Sequence, residues 1–220
     1  MAQTQTKTQI HEGTQGKGQK NADLNVRTVI FVGLLGALSF VLMLIRFPLP
    51  FTPSFLDFDI AELPGLFAGF FLGPAAGTLV VIVKLALKLA VQGTSTAFVG
   101  EAMNLVSSLS FILTASLIYR MIHTRKGAVI STVVATIVVS VVCVILNAYI
   151  AFPLYGKLFG LSLDMIVGMG SAVNPLVTNV VTLMMFSVFP FNIVKHGVTS
   201  LITFLVYKRA GGVLRGILNS

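Results

Sequence analysis

The sequence predicts an all-α integral membrane protein with six transmembrane helices. Of its 220 residues, 55% are hydrophobic and 10% are charged, whereas soluble domains carry roughly 25% charged residues. The mean hydropathy is +0.94. A spanning helix needs about 20 mainly apolar residues, and apolar runs follow one another along the chain at residues 28–45, 60–72, 74–91, 100–122, 128–152 and in a last run that ends at residue 207.

The distribution of basic residues predicts that both termini are cytoplasmic. Cytoplasmic loops accumulate Lys and Arg, and with six helices only Arg46 and Lys157 fall in outer loops. Seven helices would place the basic C-terminus outside. The topology therefore accounts for the net charge of +8 without a nucleic-acid partner. The basic residues on the cytoplasmic side are Lys7, Lys17, Lys20, Arg27, Arg120, Arg125, Lys126, Lys208, Arg209 and Arg215.

The chain is expected to form one membrane domain with two short tails. Residues 1–27 are too polar to fold on their own and predict a flexible cytoplasmic tail. They lack the apolar core of a cleaved signal peptide. Residues 28–210 form the predicted six-helix transmembrane domain, and residues 211–220 form a cytoplasmic C-terminal tail.

The segment Phe47–Gly65, FPLPFTPSFLDFDIAELPG, cannot be an ordinary lipid-facing helix, because it contains four prolines. Irregular backbone survives at membrane depth only where protein or a water-filled cavity satisfies its polar groups. This outward-facing segment is therefore interpreted as a lid over a binding cavity. Its acids, Asp57, Asp59 and Glu62, are expected to cap the second helix, since acids suit a helix start.

Ionisable residues within apolar runs are functional candidates by default. Lys84 and Lys88 share one face of the third helix. Lys88 is expected to snorkel to the outer interface. Lys84 lies deeper, and two alternatives stay open: an ion pair with Glu101 or Glu62, or a contact with a ligand.

A polar turn, Gly93, Thr94, Ser95 and Thr96, follows the third helix. Its hydroxyl groups could donate hydrogen bonds to a polar ligand, or the turn could be a simple connector. Glu101 and Asn104 lie one turn apart at the start of the fourth helix. There Glu101 could complement the helix dipole or contribute to binding.

The last two runs supply three further polar candidates. Asn147 lies near the outer end of the fifth helix, where its amide suits either a heterocyclic ligand or contacts between helices. In PFNIVKHG (190–197), Asn192 and Lys195 share a helix face, and Pro190 is predicted to start that helix.

The connection Leu154–Phe189 predicts a partly embedded outer loop and an extended start to the sixth helix.

The first helix carries a small-xxx-small pattern at Gly33 and Ala37. Such faces let helices approach closely, which suits docking onto another membrane subunit or internal packing.

The sequence contains no phosphate-loop motif, metal-ligand cluster or serine–histidine–acid set, so neither an ATPase nor a catalytic centre is indicated. The single cysteine, Cys143, excludes a disulfide framework.

Several motifs together resemble the riboflavin-specific S components of energy-coupling factor (ECF) vitamin transporters. They are FTPSFLDFDIAELPGLFAGFFLGPAAG, then K-x(8)-GTSTAFVGEAMN, N-x(5)-P-x-Y-G from Asn147, and PFNIVKHG. The resemblance runs from Val29 to Tyr207. It departs from the family pattern in a longer connection between the fifth and sixth helices and in the polar tail.

The resemblance implies a substrate-binding subunit of a bacterial cytoplasmic membrane that takes riboflavin from outside, with FMN left open as a second ligand. ATP is then used by two partner ATPase subunits, which act with a membrane coupling subunit, and Gly33 and Ala37 occupy the family's docking position. The alternatives are an S component for another vitamin or precursor, a standalone channel and a membrane enzyme. The residues that match the family's substrate contacts are Phe51, Thr52, Pro53, Gly93, Thr94, Thr96, Asn147, Asn192 and Lys195.

Overall fold

The computed structural model describes the backbone of residues 26–219 and the side chains of residues 26–206. The predicted tail at residues 1–27 therefore lies outside the described residues except for its last two. In this range the chain is almost entirely helical. Its helices are α1 Val26–Leu44, α2 Glu62–Phe71, α3 Pro74–Gln92, α4 Val99–Met121, α5 Arg125–Leu146, α6 Phe152–Phe159, α7 Leu163–Ser171, α8 Val180–Leu183 and α9 Phe189–Asn219.

Five helical stretches of the described chain are long and apolar enough to cross a membrane: Val26–Leu44, Pro74–Gln92, Val99–Met121, Arg125–Phe159 and Val180–Val206. The second predicted run, residues 60–72, forms a helix that is too short to cross a membrane. Helix α2 has 10 residues, which corresponds to about 15 Å against a hydrocarbon core of about 30 Å. The residues before it do not lengthen the helix, because they form turns and two short strands.

The strands are β1, Phe47–Pro48, and β2, Asp57–Phe58, which pair antiparallel with Phe47 opposite Phe58. The segment between α1 and α2 thus folds back on itself as a small ribbon. The Ser39 hydroxyl of α1 donates to the carbonyl of Ala61 at the end of this segment. Both ends of the segment are therefore held close to α1.

Helix α2 packs tightly between α3 and α4 because small residues lie at the crossing. A Cβ atom on Gly77 would lie 2.7 Å from Ile112 Cγ2 and 3.1 Å from the carbonyl oxygen of Gly65. Buried side chains of α2, α3, α4 and α5 then form one continuous core, which includes Leu66, Val81 and Phe111. This core fixes the short helix although it lacks the length to span.

Two π-helical turns widen the long helices near the cavity described below. Asn147–Ala151 joins α5 to α6, and Met184–Val188 joins α8 to α9. Each turn ends two residues before a proline, Pro153 or Pro190. Proline has no N–H and crowds the carbonyl four residues earlier, and a local π turn is one way for a helix to accommodate it.

Pro190 is the second residue of α9, as predicted for a helix start, but α9 is continuous with the π turn and with α8 before it. The helical path begins at Val180, where Asn179 and Thr182 form a reciprocal capping box. The Phe186 carbonyl, four residues before Pro190, accepts a hydrogen bond from Asn174 Nδ2 at 3.1 Å. The expected extended start of this helix is confirmed, and the preceding connection contains α7.

Candidate ligand-binding cavity

The described side chains line an open cavity of about 720 Å³. Its walls come from the end of the segment between α1 and α2, the α3–α4 turn, α4, the α5–α6 helix and α9. Small-molecule sites commonly have volumes of about 300–1,000 Å³, with mainly apolar walls and a few polar groups. The apolar and aromatic part of this wall includes Phe55, Leu56, Met103, Tyr155 and Phe191.

Five of the predicted contact residues line this cavity: Gly93, Thr96, Asn147, Asn192 and Lys195. These five residues come from three different parts of the fold: the α3–α4 turn, the α5–α6 helix and α9. The helices supply a rigid frame for the two amides and the ammonium group.

The other four predicted contacts, Phe51, Thr52, Pro53 and Thr94, do not line it. The Thr52 side chain is buried and donates to the Leu49 carbonyl at 3.1 Å. In this segment the residues that reach the cavity come later: Phe55, Leu56, Asp57 and Asp59. The turn at residues 49–56 directs the earlier side chains elsewhere, and sequence spacing could not reveal this.

The two asparagines are oriented in the same way. Asn147 Nδ2 donates to the Cys143 carbonyl and Asn192 Nδ2 donates to the Val188 carbonyl, both at 2.8 Å. Both bonds involve a π turn, since Asn147 is the first residue of one turn and Val188, which accepts from Asn192, is the last residue of the other. An amide has two donor hydrogens and an acceptor oxygen, so this single bond orients the group while leaving capacity for a ligand.

Lys195 is paired with Asp59 inside the cavity wall. Lys195 Nζ lies 2.9 Å from Asp59 Oδ2, and the two side chains are 9% and 5% exposed. Asp59 Oδ1 also accepts the Ala61 N–H at 2.9 Å. The expectation that Asp59 caps α2 is wrong, because no side chain caps the N-terminus of this helix and Asp59 bonds to Ala61, the residue before it. Asp59 instead neutralises a buried lysine. The signal in the sequence was that a lysine within an apolar run needs an acid.

The expected capping role of Asp57 is wrong, because Asp57 lies in β2 and pairs with Arg46 at 3.5 Å. Glu62 does fall in the first turn of α2, but its carboxylate turns inward. There Glu62 Oε1 lies 3.3 Å from Lys84 Nζ and accepts from Ser108 Oγ at 2.9 Å. The alternative in which Lys84 pairs with Glu62 is confirmed.

The expectation that Lys88 snorkels to the interface is wrong as well. Lys88 is buried, forms an ion pair with Glu101 and donates to the Gly93 carbonyl at 2.8 Å. Helix α4 begins only a few residues after α3 ends, so Glu101 comes back beside Lys88. Pairing satisfies both buried charges, and an unpaired buried charge is strongly destabilising.

Glu101 also organises the polar turn between α3 and α4. Its Oε2 atom accepts from Thr94 Oγ1 at 3.0 Å and from Thr96 Oγ1 at 2.8 Å. Ala97 and Phe98 have φ angles of 47° and 66°, a strained left-handed conformation for residues other than glycine. The threonine hydroxyls thus bind the carboxylate that fixes the turn, and Thr94 Oγ1 accepts the Phe98 N–H at 3.0 Å.

On α1, Gly33 and Ala37 are exposed, and a Cβ atom at Gly33 would meet no other atom within 4 Å. Gly36 points inward, and its side of the helix packs against Val83 of α3. Exposed Leu34, Leu38 and Val41 extend the outer face. Gly33 and Ala37 therefore belong to a smooth apolar surface at the side of the bundle.

Known proteins are similar to this chain over most of its length. A family model described as the substrate-specific component of ECF transporters matches residues 27–207. The riboflavin transporter RibU of Staphylococcus aureus (strain TCH60) is 34% identical over 202 residues, 92% of this chain and 99% of that protein. The riboflavin transporter FmnP of Bacillus subtilis (strain 168) is 30% identical over 133 residues, 60% of this chain and 70% of that protein.

A solved structure has the same fold. It is described as the S component of a bacterial ECF transporter and superposes with a TM-score of 0.67 at 33% sequence identity. The match covers 86% of this chain and 97% of the solved chain.

Proposed function

Because this chain belongs to the family of ECF transporter substrate-specific components, we propose that it binds riboflavin for ATP-dependent uptake. It is a multi-pass protein of the bacterial cell membrane. It has no enzymatic role in this proposal, and the ATP is hydrolysed by partner subunits. The two curated relatives named above are both riboflavin transporters, which makes this vitamin the first ligand to test.

The observation that carries the proposal is the placement of Asn147, Asn192 and Lys195 around one cavity with an aromatic and aliphatic wall. The isoalloxazine ring of riboflavin is flat and largely apolar, but one edge carries carbonyl oxygens and an N–H group. Asparagine amides can donate and accept along such an edge, and the lysine ammonium can donate to a carbonyl. Gly93 and Thr96, which line the same cavity, complete the proposed binding site.

The residues of the lid segment enter this proposal in two ways. Phe55 and Leu56 cover the ring directly, since they line the cavity. The earlier residues of the segment have an indirect role, because they fix the turn that carries Phe55. They are Phe51, Thr52 and Pro53. Thr94 acts similarly through its hydrogen bond to Glu101.

For the membrane topology we infer six membrane segments with both termini cytoplasmic. The sixth segment, in addition to the five long stretches, is α2 together with the ribbon before it. In this orientation the cavity opens to the outer half of the membrane, and riboflavin enters from outside. Residues 28–210 constitute the substrate-binding domain.

The partners in this proposal are a membrane coupling subunit and two ATPase subunits. The coupling subunit docks on the exposed α1 face around Gly33 and Ala37, where small side chains allow a neighbouring helix to approach closely. The energy for transport then comes from the partners.

The direct test is the absorption spectrum of the purified protein, since bound flavin is yellow. Titration with riboflavin should quench flavin fluorescence, and excess unlabelled riboflavin should compete where other vitamins do not. A colourless protein without quenching at micromolar riboflavin contradicts the proposal. Reconstitution distinguishes a channel, because a channel conducts alone, whereas this subunit should import riboflavin only with its ATPase module.

A further inference from the structure

The charged residues that line the cavity are balanced. Three cations and three anions reach it, and every one has an ion-pair partner in the same wall. The pairs are Lys195 with Asp59, Lys88 with Glu101, and Arg46 with Asp57. The charged lining of the cavity, as far as the side chains are described, therefore has no net charge and suits a neutral ligand.

The three pairs differ in how easily they can separate. The Lys195–Asp59 and Lys88–Glu101 pairs are buried, and breaking a buried pair leaves an uncompensated charge, which is costly. Arg46 and Asp57 are 47% and 38% exposed. Exposed pairs contribute little to stability, so Arg46 is the cation in this cavity that a ligand could recruit at low cost.

A phosphate group is the chemistry that Arg46 would recruit. Arginine presents five donors in a planar fork that matches phosphate oxygens, and a phosphate monoester carries between about −1.5 and −2 charges at pH 7. Asp57 opposes this, because a carboxylate 3.5 Å from Arg46 Nε occupies one donor and repels an anion. The ribbon fixes the arrangement, since Arg46 directly precedes β1 and Asp57 is opposite Pro48 in β2.

We infer that Asp57 is a specificity-determining residue that makes the cavity discriminate against the phosphate monoester of its flavin ligand by neutralising Arg46. The inference rests on the proposed function, because it assumes a flavin in this cavity. Riboflavin is neutral, and FMN is its phosphate monoester. The two ligands share the ring, so only the charged tail distinguishes them.

The test is fluorescence titration of the full chain with riboflavin and with FMN, expressed as the ratio of the two dissociation constants, Kd for FMN over Kd for riboflavin. Asp57→Asn should lower this ratio about tenfold, because a repulsive charge is removed and Arg46 is released. Arg46→Gln should raise it severalfold, because it leaves the Asp57 carboxylate alone in the cavity wall. The double variant should return close to the wild-type ratio.

The matched control is Asp164→Asn, the same substitution on an exposed residue of α7 outside the cavity. It should leave the ratio unchanged. The effect of Asp57→Asn should shrink at high salt, because partly exposed charges are screened.

An unchanged ratio in Asp57→Asn, or a change in the same direction in Arg46→Gln, overturns the inference. If Asp57→Asn fails to fold, Arg46→Gln decides alone, since its expected effect has the opposite sign. These results are separate from failure of the proposed function, in which the wild-type protein binds neither flavin.

Discussion

Lys195 Nζ and Asp59 Oδ2 lie 2.9 Å apart and join the last long helix to the segment between α1 and α2. This pair couples the proposed binding site to the segment that we propose as its lid. A ligand that bonds to Lys195 must either share the ammonium with Asp59 or displace it. The stability of the covering segment and the affinity for ligand are therefore linked.

Replacing Asp59 with asparagine should destabilise the protein, because the buried Lys195 loses the carboxylate to which it donates and keeps only the charge of Glu62 nearby. Removal of one partner of a buried pair costs about 3–5 kcal/mol. Thermal unfolding in detergent would measure the loss. The double variant Asp59→Leu with Lys195→Met should recover much of the stability, since apolar replacement of a buried pair is often neutral, but should still bind riboflavin poorly. Equal stability of wild type and Asp59→Asn would contradict this reading of the pair.

Asn192→Ala should weaken riboflavin binding by about 10- to 100-fold, which corresponds to the loss of one buried hydrogen bond of about 1–3 kcal/mol. Fluorescence titration would measure the affinity. Asn174→Ala is the matched control, because Asn174 Nδ2 also donates to a backbone carbonyl but lies outside the cavity. The control should lower stability without changing affinity. The same affinity in Asn192→Ala as in wild type would remove Asn192 from the site.

Glu101→Gln should loosen the α3–α4 turn, because Lys88 loses its counter-charge and the turn's threonine hydroxyls lose a charged acceptor. Amide hydrogen exchange should accelerate at residues 94–98, and riboflavin should dissociate faster. Thr94→Val is a milder version, since it removes one hydrogen bond of about 1 kcal/mol. Unchanged exchange in Glu101→Gln would show that backbone packing alone holds the strained Ala97 and Phe98.

Ala37→Leu should leave riboflavin binding intact and abolish co-purification with the coupling subunit, because a larger side chain would hold the partner helix away. Gly33→Leu should behave in the same way, since nothing lies near its added side chain. Gly36→Leu is the contrasting control: its side chain would collide with Val83 and lower stability instead. Normal complex formation by both Gly33→Leu and Ala37→Leu would exclude this face as the docking surface.

The helices of this protein were largely predictable from sequence because a membrane imposes length and apolarity on each of them. The predicted runs at 28–45, 74–91 and 100–122 end within about two residues of α1, α3 and α4. The second run was also placed correctly, but it forms the ten-residue α2. Its position against α3 and α4 depends on close packing at Gly65 and Gly77, which an apolar run does not reveal.

The residues that line the cavity were predictable where a polar side chain lies within an apolar helix, and less predictable in the turns. Asn147, Asn192 and Lys195 stand out in apolar surroundings, and all three line the cavity. The partners of Lys88 and Lys195 depend on how distant segments meet, so sequence alone suggested snorkelling for Lys88 and a cap for Asp59. Phe51 and Phe55 are both aromatic residues of one loop, and only the folded turn decides which of them reaches the cavity.

The π turn at Met184–Val188 has a further consequence for the geometry of the last helix. Each α-helical residue advances the direction of a side chain by about 100°, and a π turn contains one residue more than an α turn. A helical wheel drawn straight through residues 180–206 therefore assigns wrong faces on one side of the turn. Deleting one residue there would rotate α8 relative to Asn192 and Lys195 while the composition of the helix stayed nearly the same. The direction in which these two side chains point thus depends on a single inserted residue upstream of them.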